Sequence, residues 1–413
     1  MVRKIKGQIY MISLPASLDL DKIEDFQKKL DNSDHLDALQ IPVGSSKFAF
    51  GGFASAIQSV NTWAYFNNER KVVIKPSVKT KNEVLKEIIV QPHKFTALMM
   101  AKQTELLKEE APNVRSEVNQ LAKLAIEKQP LEIYGQNRGR LCWYSFVDHS
   151  TKGFDRNFYD VTPGYHPSPK SIGQIRSIIK SMVEQSSKVA GGGSLPNKEK
   201  INNLGRMFYE LFINTHEHGS RDFDRKVWIK PATRVIYSYG INLTDNAISN
   251  TVKQEQNFKN YISRLSTTKN STRRFVEISI VDSGLGYCGR WLADHPNEGD
   301  LKDISIKQQY QILKKCFQFR SSSTNNEIKG NGLPAVMANL TNLNGFMKVR
   351  SNKLSVFRDF ANQPFTSNEE DKFEFSDWET NEVCSNHLTE HPELRGVAIT
   401  VLIPLYDWTD AKD

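Results

Sequence analysis

The segment Glu210-Leu211-Phe212-Ile213-Asn214-Thr215-His216-Glu217-His218-Gly219 decides how this chain is read. Leu204, Phe208, Leu211 and Phe212 recur at helical spacing, which predicts a helix ending near His218-Gly219, where glycine suits a C-cap. Glu210 and Asn214 are four residues apart and therefore share a helix face. A carboxylate beside an amide can poise a water molecule and hold Mg2+, which takes oxygen ligands. The plainer reading of the pair is a capping or surface feature. His216 and His218 are two apart, point to different faces and make poor joint metal ligands, so they are read as structural.

Two more segments follow in order. Phe275 to Val281 alternates Val276, Ile278 and Ile280 with Glu277 and Ser279, which predicts a half-buried strand. It runs directly into Asp282-Ser283-Gly284-Leu285-Gly286. An aspartate at a strand end can accept a hydrogen bond from an exocyclic amine, and neighbouring glycines let a ligand approach the backbone. The same residue types also make an ordinary strand-to-turn exit. A GxGxxG match over residues 284–289 lacks the second strand that a dinucleotide fold requires. The third segment is Lys329-Gly330-Asn331-Gly332-Leu333-Pro334, between a polar loop and a predicted helix over 333–343. Amides at a helix start after glycines form an anion site, and Lys329 adds a point charge for a phosphate. Read plainly, the segment is a glycine turn with Pro334 near the first helical position.

Taken in this order, with Gly345 to Ser351 and a closing strand from Gly396 to Pro404 behind them, the three segments resemble the GHKL (Bergerat-fold) ATPase superfamily. That group includes gyrase, mismatch-repair ATPases, histidine kinases and anti-sigma-factor serine kinases. The resemblance covers roughly 197–405, about half the chain. It implies a two-layer α/β sandwich with a mixed, mostly antiparallel sheet, and ATP and Mg2+ as cofactors. It further implies that Asn214 coordinates Mg2+ on the phosphates and that Asp282 recognises the adenine amino group. Gly284 and Gly286 would let the nucleotide approach, and Lys329, Gly330 and Gly332 would hold its phosphates. Residues 318–332 would form a mobile lid. Glu210 matches the general base of the gyrase-like and anti-sigma branches. Asn214 and Asp282 are 68 residues apart, longer than usual, which fits an insertion around 245–270. Where the family often has Gly-Thr in its last strand, this chain has Gly396-Val397. Thr400, three positions further on, faces the other side of the strand. His93, His149 and His166 lack the context of a phospho-acceptor, so a sensor histidine kinase is not expected.

Upstream, residues 1–78 read as a small β-α-β-α-β unit. Strands are predicted at Ile9 to Ile12, Ala38 to Val43 and Val72 to Ile74, with helices over Asp19 to Leu30 and across Phe53, Ile57, Val60 and Ala64. Gly52 to Gln58, leading to Trp63, gives this unit a weak likeness to a STAS-type domain. Residues 79–195 are expected to be a mainly helical connector ending in the break Ala190-Gly191-Gly192-Gly193-Ser194-Leu195-Pro196. That break lacks the GK[ST] ending of a Walker loop. Residues 196–413 form the nucleotide-binding part of an α/β (α+β) chain.

Composition bounds these readings. A chain of 413 residues can bury a sizeable core without disulfide or metal staples. No apolar run is long enough for a membrane span, and four scattered cysteines without a CxxC pair argue for a reducing, cytoplasmic setting. Fifty-five lysines and arginines against 47 aspartates and glutamates give a net charge of +8, with no dense basic block. Nucleic acid is therefore less favoured than a protein partner acting through the amino-terminal half, and a homodimer is left open. The function expected is an Mg2+-dependent ATPase whose lid closure regulates a partner in a bacterial regulatory or defence system. The alternatives are a serine/threonine kinase of anti-sigma type and a non-hydrolysing regulatory or nucleic-acid-binding module.

Overall fold

The structure, a computed structural model, describes residues 11–32, 37–46, 50–75, 77–107, 112–128, 140–150, 155–162, 167–189, 198–244, 256–264, 272–318, 332–366 and 372–405. Strands β1 (Met11–Ser13), β2 (Ala38–Ile41), β3 (Lys71–Ile74) and β4 (Gln103–Leu106) form a four-stranded parallel sheet in that order. Helices α1 (Leu20–Asp31) and α2 (Gly52–Phe66) make the first two crossovers, and α3 (Lys81–Ile89) and α4 (Pro92–Met100) together make the third. Helix α5 (Arg115–Lys128) follows. The helix starts are locally encoded. Thr80 and Glu83 form a capping box at α3, and Pro92 opens α4. The buried residues Leu20, Ile23, Phe26 and Leu30 give α1 one apolar face.

The second sheet has seven strands, all neighbours antiparallel. Its members are β5 (Leu141–Phe146), β8 (Arg234–Thr244), β9 (Thr272–Val281), β10 (Phe346–Asn352), β11 (Leu354–Asp359), β12 (Ser376–Asp377) and β13 (Leu394–Pro404). The spatial order is β12-β11-β10-β13-β9-β8-β5. A two-stranded ribbon, β6 (Tyr159–Asp160) with β7 (Ser168–Pro169), stands apart. One face of the large sheet is covered by α6 (Ile172–Val189), α7 (Lys198–Glu217), α9 (Gly286–Asp294), α10 (Ile306–Cys316) and α11 (Gly332–Asn342). Tyr144, Ile236, Ile278, Val349 and Val401 of the sheet share that core with Ile179, Phe208, Phe212 and Met337 of the helices.

The opposite face is covered as well. Trp143, Val235, Tyr237, Val281 and Ala398 form one core with Phe53, Ile57 and Val60 of α2 and with Phe95 and Leu98 of α4. Helix α8 (Gln256–Arg264), inside the expected insertion, covers the rest by placing Phe258, Tyr261 and Ile262 against Phe275, Phe346 and Leu402. This corrects the expectation for β9. Glu277 and Ser279 do not face water, because the amino-terminal unit lies over them. Tyr237 Oη donates to Glu277 Oε1 at 2.5 Å, the Gly51 amide donates to Glu277 Oε2 at 3.1 Å, and Ser279 Oγ donates to Thr400 Oγ1 at 2.9 Å. The stretch 79–195, expected to be mainly helical, does hold α3 to α6, but it also supplies a strand to each sheet. Among the described residues no helix is long and apolar enough to cross a membrane.

The edge strand β5 is locked by a buried ion pair. Arg234 Nε and Nη2 donate to the two carboxylate oxygens of Asp148, each at 2.7 Å, and both side chains are fully buried. Burial alone would lower the Arg234 pKa, but the Asp148 carboxylate and Tyr159 push it above its ordinary value. Asp148→Ala leaves that guanidinium buried and unpaired. It should cost about 3–5 kcal/mol, read as a lower midpoint in urea unfolding. Replacing both partners by apolar residues should cost less.

Candidate functional site

Helix α7 brings the first segment into place. Its inner face carries Phe208, Leu211 and Phe212 into the core, which leaves Glu210 and Asn214 half-buried at the edge of that face. The helix stops where the Asn214 carbonyl accepts from His218 N at 2.9 Å and Gly219 N at 3.4 Å. Among the described residues neither the Glu210 carboxylate nor the Asn214 amide makes a hydrogen bond. Burial raises the Glu210 pKa, Arg206 opposes the rise and Glu217 adds to it.

The end of α7 lies directly on Asp282. A Cβ at position 219 would sit 2.4 Å from Asp282 Cγ and 2.5 Å from Oδ2, so only glycine lets the helix end approach this carboxylate. Asp282 is 4 % exposed. Its Oδ1 accepts from Gly284 N at 2.9 Å and Val397 N at 3.1 Å. Its Oδ2 accepts no hydrogen bond among the described residues. The backbone joins the same segments, with Asp282 N donating to Val397 O at 3.0 Å and Gly396 N to Gly284 O at 2.8 Å. Gly396 has φ +72°, and a Cβ there would lie 2.0 Å from Asp282 O. Burial pushes the Asp282 pKa up to about 7. The Gly284 and Val397 amides and Arg234 work against the rise, while Asp148 adds to it.

The remaining expected residues fall as follows. At Gly284 the Cβ position is taken by Gly219, 2.8 Å from its Cα, and at Gly286 by the Asn352 side chain, 2.4 Å from Oδ1. These glycines therefore let chain segments close on one another at the turn. Asn352 then clamps that turn, donating to Leu285 O at 2.9 Å and accepting from Cys288 N at 3.1 Å. Gly332 opens α11 and places its Cα side against Glu210, whose Oε2 would be 2.9 Å from a Cβ there. Lys329 and Gly330, and most of the expected lid over 318–332, lie outside the described residues. Thr400 faces α2, with its Oγ1 3.7 Å from a Cβ built at Gly51, so it points away from the helical layer.

His216 lies with Nδ1 3.3 Å from Tyr159 Oη, and Arg225 Nη1 donates to His218 Nδ1 at 3.1 Å. Burial and nearby arginines hold the His216 pKa down to about 3 and the His218 pKa down to about 4, so both rings are neutral packing groups. Among the described residues no cluster of three or more His, Cys, Asp or Glu could hold a metal ion. The Val397 amide and the Asn352 clamp escaped the sequence reading, because backbone donors and a polar side chain at a strand end carry no motif. No protein-family model, curated protein or solved structure matches the chain.

A carboxyl group whose folded pKa is raised stabilises the fold fully below its unfolded pKa, and that contribution is lost as pH rises through the folded value. For Asp282 the window runs from about 4 to about 7. Asp282→Asn removes the penalty for ionisation. Its thermal midpoint should gain on wild type as pH is raised from 5 to 8, and equal differences at both pH values would contradict the burial account.

Proposed function

We propose that the chain binds ATP where Asp282, Gly219, Asn214 and Glu210 converge, and hydrolyses it. The observation that carries this reading is the half-satisfied carboxylate of Asp282. Oδ1 takes two backbone amides, and Oδ2 takes none among the described residues. A carboxylate oxygen in so closed a setting, 4 % exposed, accepts well from a ligand amine placed there. Gly219 brings the end of α7 directly onto this carboxylate, where any larger residue would collide with it. Adenine supplies a donor of the required kind in its exocyclic amine.

The chemistry falls to Glu210. Its raised pKa suits a general base near neutral pH. It would take the proton from a water attacking the terminal phosphorus as the bond to the bridging oxygen breaks and the nucleoside diphosphate leaves. Asn214, one helical turn on, would hold Mg2+, which supplies charge neutralisation on the phosphates when bound. Gly332 puts the start of α11 against Glu210, and backbone amides at a helix start suit a phosphate. Ligand-dependent contacts at Asp282 would reach the amino-terminal unit, since α2 lies beneath it, and a protein partner acting there is part of the reading. A cytoplasmic setting belongs to it too, because Cys142, Cys288, Cys316 and Cys384 are all free thiols.

Purified chain with Mg2+ should release phosphate from ATP. Glu210→Gln should abolish release, by about 100-fold or more, while ATP affinity stays within a few-fold. Affinity should fall as pH drops below about 7, because protonated Asp282 loses its charge as an acceptor. Binding without release by wild type would leave a non-hydrolysing regulator, and label transfer from γ-labelled ATP to a co-purified protein would indicate a kinase. No binding at all would end the reading.

A further inference from the structure

Helix α2 is buried along its length from Gly52 to Ala64. Most of that burial is apolar, but Gln58, Asn61 and Thr62 form a polar stripe at i, i+3 and i+4 on one face. The stripe meets the backbone of the two chain segments that hold the Asp282 carboxylate. Asn61 Nδ2 donates to Asp282 O at 3.4 Å. Gln58 Nε2 donates to Gly396 O at 3.2 Å and to Arg350 O at 3.1 Å. Thr62 Oγ1 accepts from Arg395 N at 3.0 Å.

We propose that this stripe of the amino-terminal unit is part of the ligand site, with Asn61 a positioning residue that sets the pose of Asp282. The inference rests on the ATP reading for the identity of the ligand, but not for the geometry. Asn61 is 0 % exposed, and its amide can face only one way. The Asp282 carbonyl is an acceptor and demands Nδ2, which leaves Oδ1 to accept from Thr233 Oγ1 at 2.8 Å. Thr233 N in turn donates to Ser283 Oγ at 3.0 Å. The ring of bonds Asn61–Asp282–Ser283–Thr233 thus fixes the peptide between Asp282 and Ser283. Rotation of that peptide would swing the carboxylate off the Gly284 and Val397 amides. Gln58 and Thr62 hold the opposite wall at 395–396, where the left-handed Gly396 abuts Asp282 O. By linkage, a ligand that selects one pose of Asp282 stabilises the seating of α2, and the seating of α2 changes affinity by the same factor.

The test uses the full chain, with ATP and inosine triphosphate as probes, since the second lacks the amine that Asp282 would accept. Two quantities are read: the ratio of the two dissociation constants, and the titration of the Asp282 carboxyl carbon by NMR in ligand-free protein. The charged and titratable groups acting on that carboxyl are Arg234, Asp148, Arg395 and Tyr287, and all are left intact. Asn61→Leu should cut the preference for ATP by about tenfold, the worth of one such hydrogen bond. It should also move the Asp282 titration upward, as the carboxylate loses alignment with its two amides. Thr233→Val, which leaves Asn61 present but unoriented, should show a smaller shift of both and carries the test if Asn61→Leu does not fold. Unchanged preference and unchanged titration overturn the inference, because general destabilisation would not alter selectivity. If wild type binds neither probe, the ATP reading fails, and the titration alone decides whether Asn61 positions Asp282.

Discussion

A seven-stranded sheet has two faces, and in this chain both are taken out of water. Helices α6, α7, α9, α10 and α11 cover one, and α2, α4 and α8 cover the other. A sheet buried twice cannot keep a polar stripe unless that stripe is hydrogen-bonded. Here the stripe is bonded mostly across the layer boundary. Glu277 takes the Gly51 amide and the Tyr237 hydroxyl, and Gln58 and Asn61 reach strand-end carbonyls. Apolar contacts alone would let α2 slide along the sheet. These bonds fix its register, because the donors meet fixed backbone acceptors at 282, 350 and 396. Gln58 Oε1 and Ser355 Oγ are buried without a partner among the described residues.

From this seating follows the crowding around Asp282. Segments ending at Gly219, Gly284 and Gly396 converge on one carboxylate, and a side chain at 219 or 396 would collide with it or with its own carbonyl. Such convergence removes water, and the removal raises the pKa of Asp282 despite two donated amides. A group of this kind has an energetic reason to look for a further donor. Asp148 has both of its oxygens satisfied by Arg234. Asp282 and Asp148 act on each other electrostatically, yet among the described residues only Asp148 has both oxygens bonded.

Much of this was legible beforehand, and the misses have physical causes. Helices α1, α6 and α7 show in the apolar spacing, because each has one face in a core, and α2 shows through Phe53, Ile57, Val60 and Ala64 although it is buried on every side. Strands β5 and β11 do not, because all six residues of each are buried and no alternation survives. The burial of Glu277 was illegible for the same reason inverted. Alternation with isoleucine signals a solvent face, and nothing local says that a helix more than 200 residues upstream covers it. At the site, Glu210, Asn214, Asp282 and Gly219 are adjacent to motifs and so were visible. Gly284 and Gly286 were read as room for a ligand, whereas the structure fills both positions with Gly219 and Asn352. A glycine pattern records that something comes close, not what it is.

That ambiguity bears on how the two halves are to be understood. A division at about residue 195 follows the motifs, but the cores do not respect it. Leu141, Trp143, Val235, Tyr237, Val281 and Ala398 belong to the same cluster as Phe53, Ile57 and Phe95. Strand β5 lies before the division and pairs with β8 after it, and the Asp148–Arg234 pair crosses it too. A segment cut at 195 would lose its edge strand, part of the cover of one sheet face, and the contacts of Gln58, Asn61 and Thr62 with the segments around Asp282. The amino-terminal unit is therefore better described as the floor of the candidate site than as an appended domain.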